Sequence, residues 1–158
     1  MRAAILTVSD LGARGEREDT AGPAVATMLA SANFDVVEQT LLADEPDQIA
    51  AQLSTWADGD IADLALTVGG TGLSPRDRTP QATEQVIEYR VDGLVQAMRA
   101  AGLASTPMAM LSRAVAGVRA TMLIINLPGS ERGARENLDA VLPVLTHAVE
   151  QLRDGSGH

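Results

Sequence analysis

The sequence predicts a three-layer α/β/α sandwich with a mostly parallel sheet. Three observations carry this. Short apolar runs alternate with amphipathic segments along the chain, the pattern of parallel strands joined by crossover helices. Several runs, such as Ala3 to Val8 and Thr121 to Leu127, show no polar alternation, as expected of strands covered on both faces. A chain of 158 residues is long enough for one domain with a sizeable core.

The elements follow in order. Ala3 to Val8 reads as a buried first strand. Asp19 to Ala32 reads as a helix, with Val25, Met28 and Leu29 at helical spacing and Pro23 in its first turn. Asp35 to Ala43, rich in Val and Leu, is a second strand, and Pro46 to Asp58 puts Ile49, Leu53 and Trp56 on one helical face. Asp63 to Val68 is a third strand. Thr79 reads as an N-cap with Pro80 at the first helical position, and that helix carries Val86 and Ile87. A further helical piece follows Gly93 through Leu94, Val95 and Met98. Residues 103 to 119 show no clean periodicity, and SRAVAGVRA within them reads as a turn and short strand. Thr121 to Leu127 is a strong buried strand. Residues 134 to 153 form a helix whose stripe is Leu138, Val141, Leu142, Leu145, Val149 and Leu152, with Pro143 expected to kink or break it. The domain thus spans 1–153, and 154–158 (DGSGH) is a tail.

Composition narrows the function. With no cysteine, disulfides and thiolate chemistry are excluded. No apolar stretch approaches the roughly 18 residues of a membrane span, and the N-terminus lacks the pattern of a signal peptide; a cytoplasmic protein is the simplest expectation. A net charge of −9 argues against a nucleic-acid partner. All twelve basic residues are arginines, so a phosphate site must use backbone N–H groups, arginine forks or a metal ion. The two histidines, His147 off the apolar stripe and His158 in the tail, offer neither a triad nor a zinc site.

In a parallel sheet the carboxyl ends of the strands share one edge, where ligands bind. Here those ends carry Ser9-Asp10, Asp44-Glu45, Gly69-Gly70-Thr71-Gly72 with Asp77 beyond, and Leu127-Pro128-Gly129-Ser130. The GGTG turn reads either as a tight turn or as a cradle whose N–H groups hold an anion. Acids beside such a cradle call for a divalent cation, since Mg²⁺ is typically held by one or two carboxylates plus substrate phosphates. Asp10, Asp44 and Asp77 are the candidates; each alone also fits a turn or helix cap.

Four stretches carry a family resemblance: SDLGARGEREDTAGP at 9–23, TVGGTGLSPRDRTPQAT at 67–83, TPMAMLSRAVAGVR at 106–119 and LIINLPGS at 123–130. GGTG, RD and TP at this spacing, followed by LPGS, resemble the molybdopterin adenylyltransferases of the MogA/MoaB type and the related G domains of molybdenum-insertase proteins, including gephyrin. The resemblance runs from the first strand to about residue 150. It implies the molybdopterin-binding α/β fold, usually trimeric. It also implies Mg²⁺-dependent transfer of AMP from ATP to the terminal phosphate of molybdopterin, releasing pyrophosphate, with a molybdenum-insertion protein as a further partner. It places Asp77 and Asp44 as catalytic residues and as Mg²⁺ ligands. Asp10, Gly69, Gly70, Thr71, Gly72, Ser74, Arg76, Thr79, Ser112, Pro128, Gly129 and Ser130 fall at nucleotide- or pterin-binding positions, and Asp19 matches a second acid of the first loop. One departure stands out: Glu131 follows LPGS where the family often has Pro. The RD-T-P segment and the acid at 44 favour an enzyme over a non-catalytic pterin-binding module or a scaffold.

Overall fold

The computed structural model describes residues 1–155 and contains one six-stranded sheet with helices on both faces. The strands are β1 (Arg2–Val8), β2 (Asp35–Leu42), β3 (Leu64–Val68), β4 (Tyr89–Arg90), β5 (Ala116–Arg119) and β6 (Met122–Leu127). The helices are α1 (Asp10–Ala13), α2 (Ala21–Ser31), α3 (Pro46–Asp58), α4 (Thr79–Val86), α5 (Asp92–Ser105) and α6 (Glu131–Asp154). Strand order is β2-β1-β3-β6-β5-β4. The first four are mutually parallel, while β5 runs antiparallel to β6 and to β4. The expected three layers and mostly parallel sheet are therefore present.

Two cores sandwich the sheet, and strand alternation assigns residues to them. Ala3 and Ile5 of β1, Leu66 of β3 and Ile125 of β6 face α2, α5 and α6. Ala4, Leu6 and Val8, with Ala65 and Ile124, face α3 and α4 through Ile49, Leu53, Trp56 and Val86. Every residue of β3 and β6 is buried, which explains why these strands read as unbroken apolar runs. β2 lies at an edge and is largely exposed.

The structure corrects several sequence expectations. Arg78, not Thr79, is the N-cap of α4; Thr79 is already the first helical residue and Pro80 the second. The helix ends at Val86, leaving Ile87 extended. α6 begins at Glu131, earlier than 134, because Ser130 caps it by accepting the Gly133 N–H at 3.1 Å. Its first turn has no apolar stripe, so periodicity misses it. Pro143 does not break α6, which runs to Asp154; the ring sits on the exposed face. Asp154 thus belongs to the helix rather than the tail, and residues 156–158, including His158, lie outside the described residues. α5 extends to Ser105 through an Ala-rich stretch with little periodicity, and a 3-10 turn at Pro107–Leu111 follows. The short strand expected within SRAVAGVRA is β5. His147 is exposed, as expected. No helix among the described residues is long and apolar enough to cross a membrane.

The edge of the sheet opposite the strand carboxyl ends is clamped by one buried acid. Asp63 accepts the Arg2 N–H at 2.7 Å and pairs with the guanidinium groups of Arg2 at 2.8 Å and Arg153 at 3.0 Å. This ties β1, β3 and the last turn of α6 together. Burial pushes the Asp63 carboxyl up, but the two Arg2 hydrogen bonds outweigh it and hold the group below the ordinary carboxylate range. Its contribution is therefore complete above the unfolded pKa and lost as pH falls through the folded one. Asp63→Asn should cost about 2 kcal/mol at pH 7, less than breaking a fully buried pair because both arginines are partly solvated. Urea unfolding should show the difference narrowing below about pH 4.

Candidate active site at the carboxyl edge

The site is built where β3 ends. Gly69 and Gly70 adopt φ of +105° and +70°, a region that favours glycine. A Cβ on Gly69 would overlap the Val8 carbonyl. A Cβ on Gly70 would overlap Thr79 Oγ1 and come within 3.1 Å of Asp44 Oδ1. The bare turn thus lets the ends of β1, β2 and β3 and the start of α4 close on one another.

The loops are then stitched together. Asp10 and Asp44 each accept the other's backbone N–H, at 3.0 and 2.9 Å, which joins the ends of β1 and β2. Arg76 reaches across to Asp10 with two hydrogen bonds of 3.0 and 3.1 Å, and to Glu45 at 2.9 Å. Asp77 accepts the Ser74 N–H at 3.1 Å and closes the turn over Gly72. Arg113 holds this turn from below, donating to the carbonyls of Gly72 at 2.9 Å and Asp77 at 2.7 Å. Its own N–H donates to Thr71 O at 2.9 Å.

Two cavities flank this ridge. One, of about 410 Å³, is lined by Gly70, Thr71, Gly72, Asp77, Ser112, Pro128, Gly129 and Ser130, with Val95, Met98, Met108 and Leu111 as an apolar wall. The other, of about 680 Å³, is more polar and is lined by Asp10, Asp44, Gly69, Gly70, Ser74, Arg76, Asp77, Gly129 and Ser130, with Arg14, Arg17 and Asp19. They share Gly70, Asp77, Gly129 and Ser130. Two ligands can therefore meet with their reacting groups at one ridge.

The acids differ in electrostatic surroundings. The Arg76 guanidinium and the Asp44 N–H hold the Asp10 carboxyl down at about 2. Asp44 is pushed up, first by burial and then by the charges of Asp10 and Asp77. No arginine pairs with Asp44 or Asp77 among the described residues. No cluster of three or more ligating side chains occurs among those residues. Two unneutralised carboxylates at the ridge do fit Mg²⁺, whose remaining ligands are usually water and substrate phosphate.

Most expected site residues thus converge, and three do not behave as expected. Thr79 is fully buried and lines neither cavity. It lies beneath Gly70 because α4 starts one residue early. Asp19 lines the polar cavity but is held by Thr7 Oγ1 at 2.7 Å and the Gly22 N–H at 2.9 Å, a capping role at the start of α2. Glu131 lines neither main cavity; it sits in the first turn of α6, where the helix dipole favours an acid, 3.7 Å from Arg135. Sequence reading missed Arg113. The signal was its place directly after Ser112, in a chain whose only cations are arginines.

A family described as "Probable molybdopterin binding domain" matches residues 4–147. The chain belongs to this family. The Molybdopterin adenylyltransferase of Helicobacter pylori strain 26695 is 39% identical over 148 residues, covering 92% of this chain and 84% of that protein. The Thermus thermophilus MoaB structure, described as a molybdopterin biosynthesis enzyme, superposes with a TM-score of 0.92 at 55% identity, covering 97% of this chain and 96% of that one. A solved MogA structure gives 0.91 at 40% identity, covering 96% and 99%.

Asp44 sits where burial and neighbouring acids disfavour its charge. A carboxyl whose folded pKa is raised contributes its full stability below the unfolded pKa and loses it as pH rises. Asp44→Asn can keep an acceptor for the Asp10 N–H while removing the crowded charge. At pH 7 the variant should melt at the wild-type temperature or higher. Calorimetric scans should show that advantage shrink as pH falls through the raised Asp44 pKa and the wild-type group takes up its proton.

Proposed function

We propose that the protein transfers AMP from Mg-ATP to the terminal phosphate of molybdopterin, releasing pyrophosphate. It is an enzyme of the molybdopterin adenylyltransferase type, acting in molybdenum cofactor biosynthesis. The observation that carries this reading is the meeting of two cavities at a ridge holding Asp77, with Asp44 beside it and neither acid neutralised by arginine. The adenylyltransferase name of the Helicobacter relative supports it.

The chemistry matches the residues. A molybdopterin phosphate oxygen, ionised at neutral pH, attacks the α-phosphorus of ATP. That oxygen–phosphorus bond forms as the bond from the α-phosphorus to the bridging oxygen breaks, and the electron pair leaves with pyrophosphate. No strong general base is required, so the absence of histidine from both cavities is no obstacle. Catalysis rests on positioning and on stabilising charge at the α-phosphate. The Gly69 N–H is spent on the Leu127 carbonyl at 3.0 Å, so the N–H groups of Gly70, Thr71 and Gly72 are those that approach the phosphates, and Ser112, Pro128, Gly129 and Ser130 shape the apolar cavity. Asp44 and Asp77 would hold Mg²⁺, which supplies charge neutralisation for the phosphates. The product, still lacking metal, passes to a molybdenum-insertion protein, and the whole sequence takes place in the cytoplasm.

The direct test supplies molybdopterin and Mg-ATP and measures adenylylated pterin against pyrophosphate. Stoichiometric formation of both is expected; binding of pterin without either product would leave a non-catalytic binding module. Asp77→Asn separates chemistry from packing, because the Ser74 N–H still finds an oxygen acceptor. The variant should fold and bind molybdopterin while kcat falls on the order of 10²-fold or more, the usual effect of removing one well-placed electrostatic contact. Near-normal turnover would reduce Asp77 to a turn-forming role.

We also propose a homotrimer. Exposed Leu73, Leu103, Met108, Met110 and Leu111, in segments around the apolar cavity, support an interface there. Sedimentation equilibrium at micromolar concentration should give three chains per particle, and a monomer would overturn it.

A further inference from the structure

One fully buried polar atom lies unpaired directly under the site. Among the described residues, Thr79 Oγ1 is the only buried side-chain oxygen or nitrogen without a hydrogen-bond partner. Such groups are rare in folded proteins and call for a reason. Valine has the same shape and would leave nothing unpaired.

What the hydroxyl faces supplies the reason. A Cβ on Gly70 would overlap Thr79 Oγ1 and lie 3.1 Å from Asp44 Oδ1. The bare glycine therefore leaves a gap with an unpaired donor on one side and a carboxylate oxygen on the other. Asp44 Oδ2 is occupied by the Asp10 N–H, and among the described residues no donor reaches Oδ1. The main chain of Thr79 cannot drift. Its N–H donates to Gly70 O at 3.2 Å, and its carbonyl accepts from Thr83 Oγ1 at 2.9 Å. Thr83 Oγ1 in turn accepts from Asn126 Nδ2 at 2.9 Å, and Asn126 also donates to Thr67 Oγ1 at 2.9 Å, all within the core. A small side-chain movement is the freedom left.

We propose that Thr79 is a positioning residue for Asp44: when the site is loaded, its hydroxyl donates across the gap over Gly70 to Asp44 Oδ1 and fixes the orientation of that carboxylate toward the bound cation. This rests on the reading that Asp44 helps to hold the cation. It accounts together for the orphan hydroxyl, the free carboxylate oxygen and the requirement for glycine at position 70. It also gives the Asn126–Thr83 network a purpose, since that network anchors Thr79 from below.

The test compares wild type, Thr79→Val and Thr79→Ser in the full chain. Binding of manganese(II) in the presence of ATP is followed by water-proton relaxation, alongside thermal melting and steady-state transfer. Thr79→Val should melt at the wild-type temperature or above, because it deletes an unpaired buried hydroxyl. Its manganese affinity should fall about tenfold or more, the equivalent of losing one hydrogen bond to a charged group. Its kcat should fall by a similar factor with little change in the molybdopterin KM. Thr79→Ser, which keeps the hydroxyl, should restore manganese affinity to within about twofold of wild type. Wild-type affinity in Thr79→Val overturns the proposal, as does failure of Thr79→Ser to restore it. A Thr79→Val chain that does not fold overturns it too, because the hydroxyl would then serve the fold. Absence of manganese binding by wild type with ATP removes its premise. A wild type that binds manganese but transfers no AMP defeats the proposed reaction alone, and the binding comparison still decides the role of Thr79.

Discussion

The site depends on two residues that have no side chain. Gly69 and Gly70 turn left-handed at the end of β3, and each is pressed against a neighbour that a Cβ would displace. Gly69 abuts the Val8 carbonyl, and a Cβ on Gly129 would come within 3.3 Å of the Gly69 Cα. Gly70 roofs Thr79 and borders Asp44. Central strands alone would bring four chain ends to one edge, about 5 Å apart from strand to strand. The glycines do more: they let those ends touch, so that backbone N–H groups, carboxylates and the LPGS segment line both cavities. A larger residue at either position would separate these groups before any ligand arrived.

Close packing of acids creates an electrostatic problem that the protein solves unevenly. Asp10 is neutralised by Arg76, which also engages Glu45. Asp44 and Asp77 receive only backbone N–H groups. Arg113 binds the same loop but gives its guanidinium to the carbonyls of Gly72 and Asp77. The arginines closest to the ridge therefore build the loops instead of meeting a phosphate. What remains for an anionic ligand in the polar cavity is the backbone of the glycine turn and Arg17, which lines that cavity and has no ion-pair partner among the described residues. In a chain of net charge −9 with no lysine, these are few direct contacts for an anion, and the two acids left without arginine fit a cation beside them.

How legible this was in the sequence varies with the physics of each element. β1, β3 and β6 were readable because both faces are buried, which forces an unbroken apolar run. The convergence at the carboxyl edge followed from the parallel order alone. α1 and β4 were not readable: four and two residues long, they are too short to show a period and are held by tertiary contacts. Thr79 was misplaced because Thr-Pro suits a cap and first helical residue equally well as a first and second one; only the Gly70 contact decides, and that contact is 9 positions away in sequence. Arg113 was invisible for a related reason. Its acceptors are backbone carbonyls, and carbonyls leave no mark in a sequence.

The two edges of the sheet show how the same side chain can serve opposite ends. Asp63 at one edge is as buried as any residue of the core, and two arginines and a backbone N–H meet its charge. The result is a clamp joining the first strand, the third strand and the last helix. Asp44 at the other edge is also buried, yet among the described residues no arginine pairs with it; Arg76 offsets its charge only from a distance, and two further acids lie close by. An arginine there would relieve the strain and would also fill the ridge where the cavities meet. Under the proposed function, a cation and phosphates would complete this crowded charge. Two apolar cores and the Asp63 clamp hold the remainder of the sheet independently of that edge.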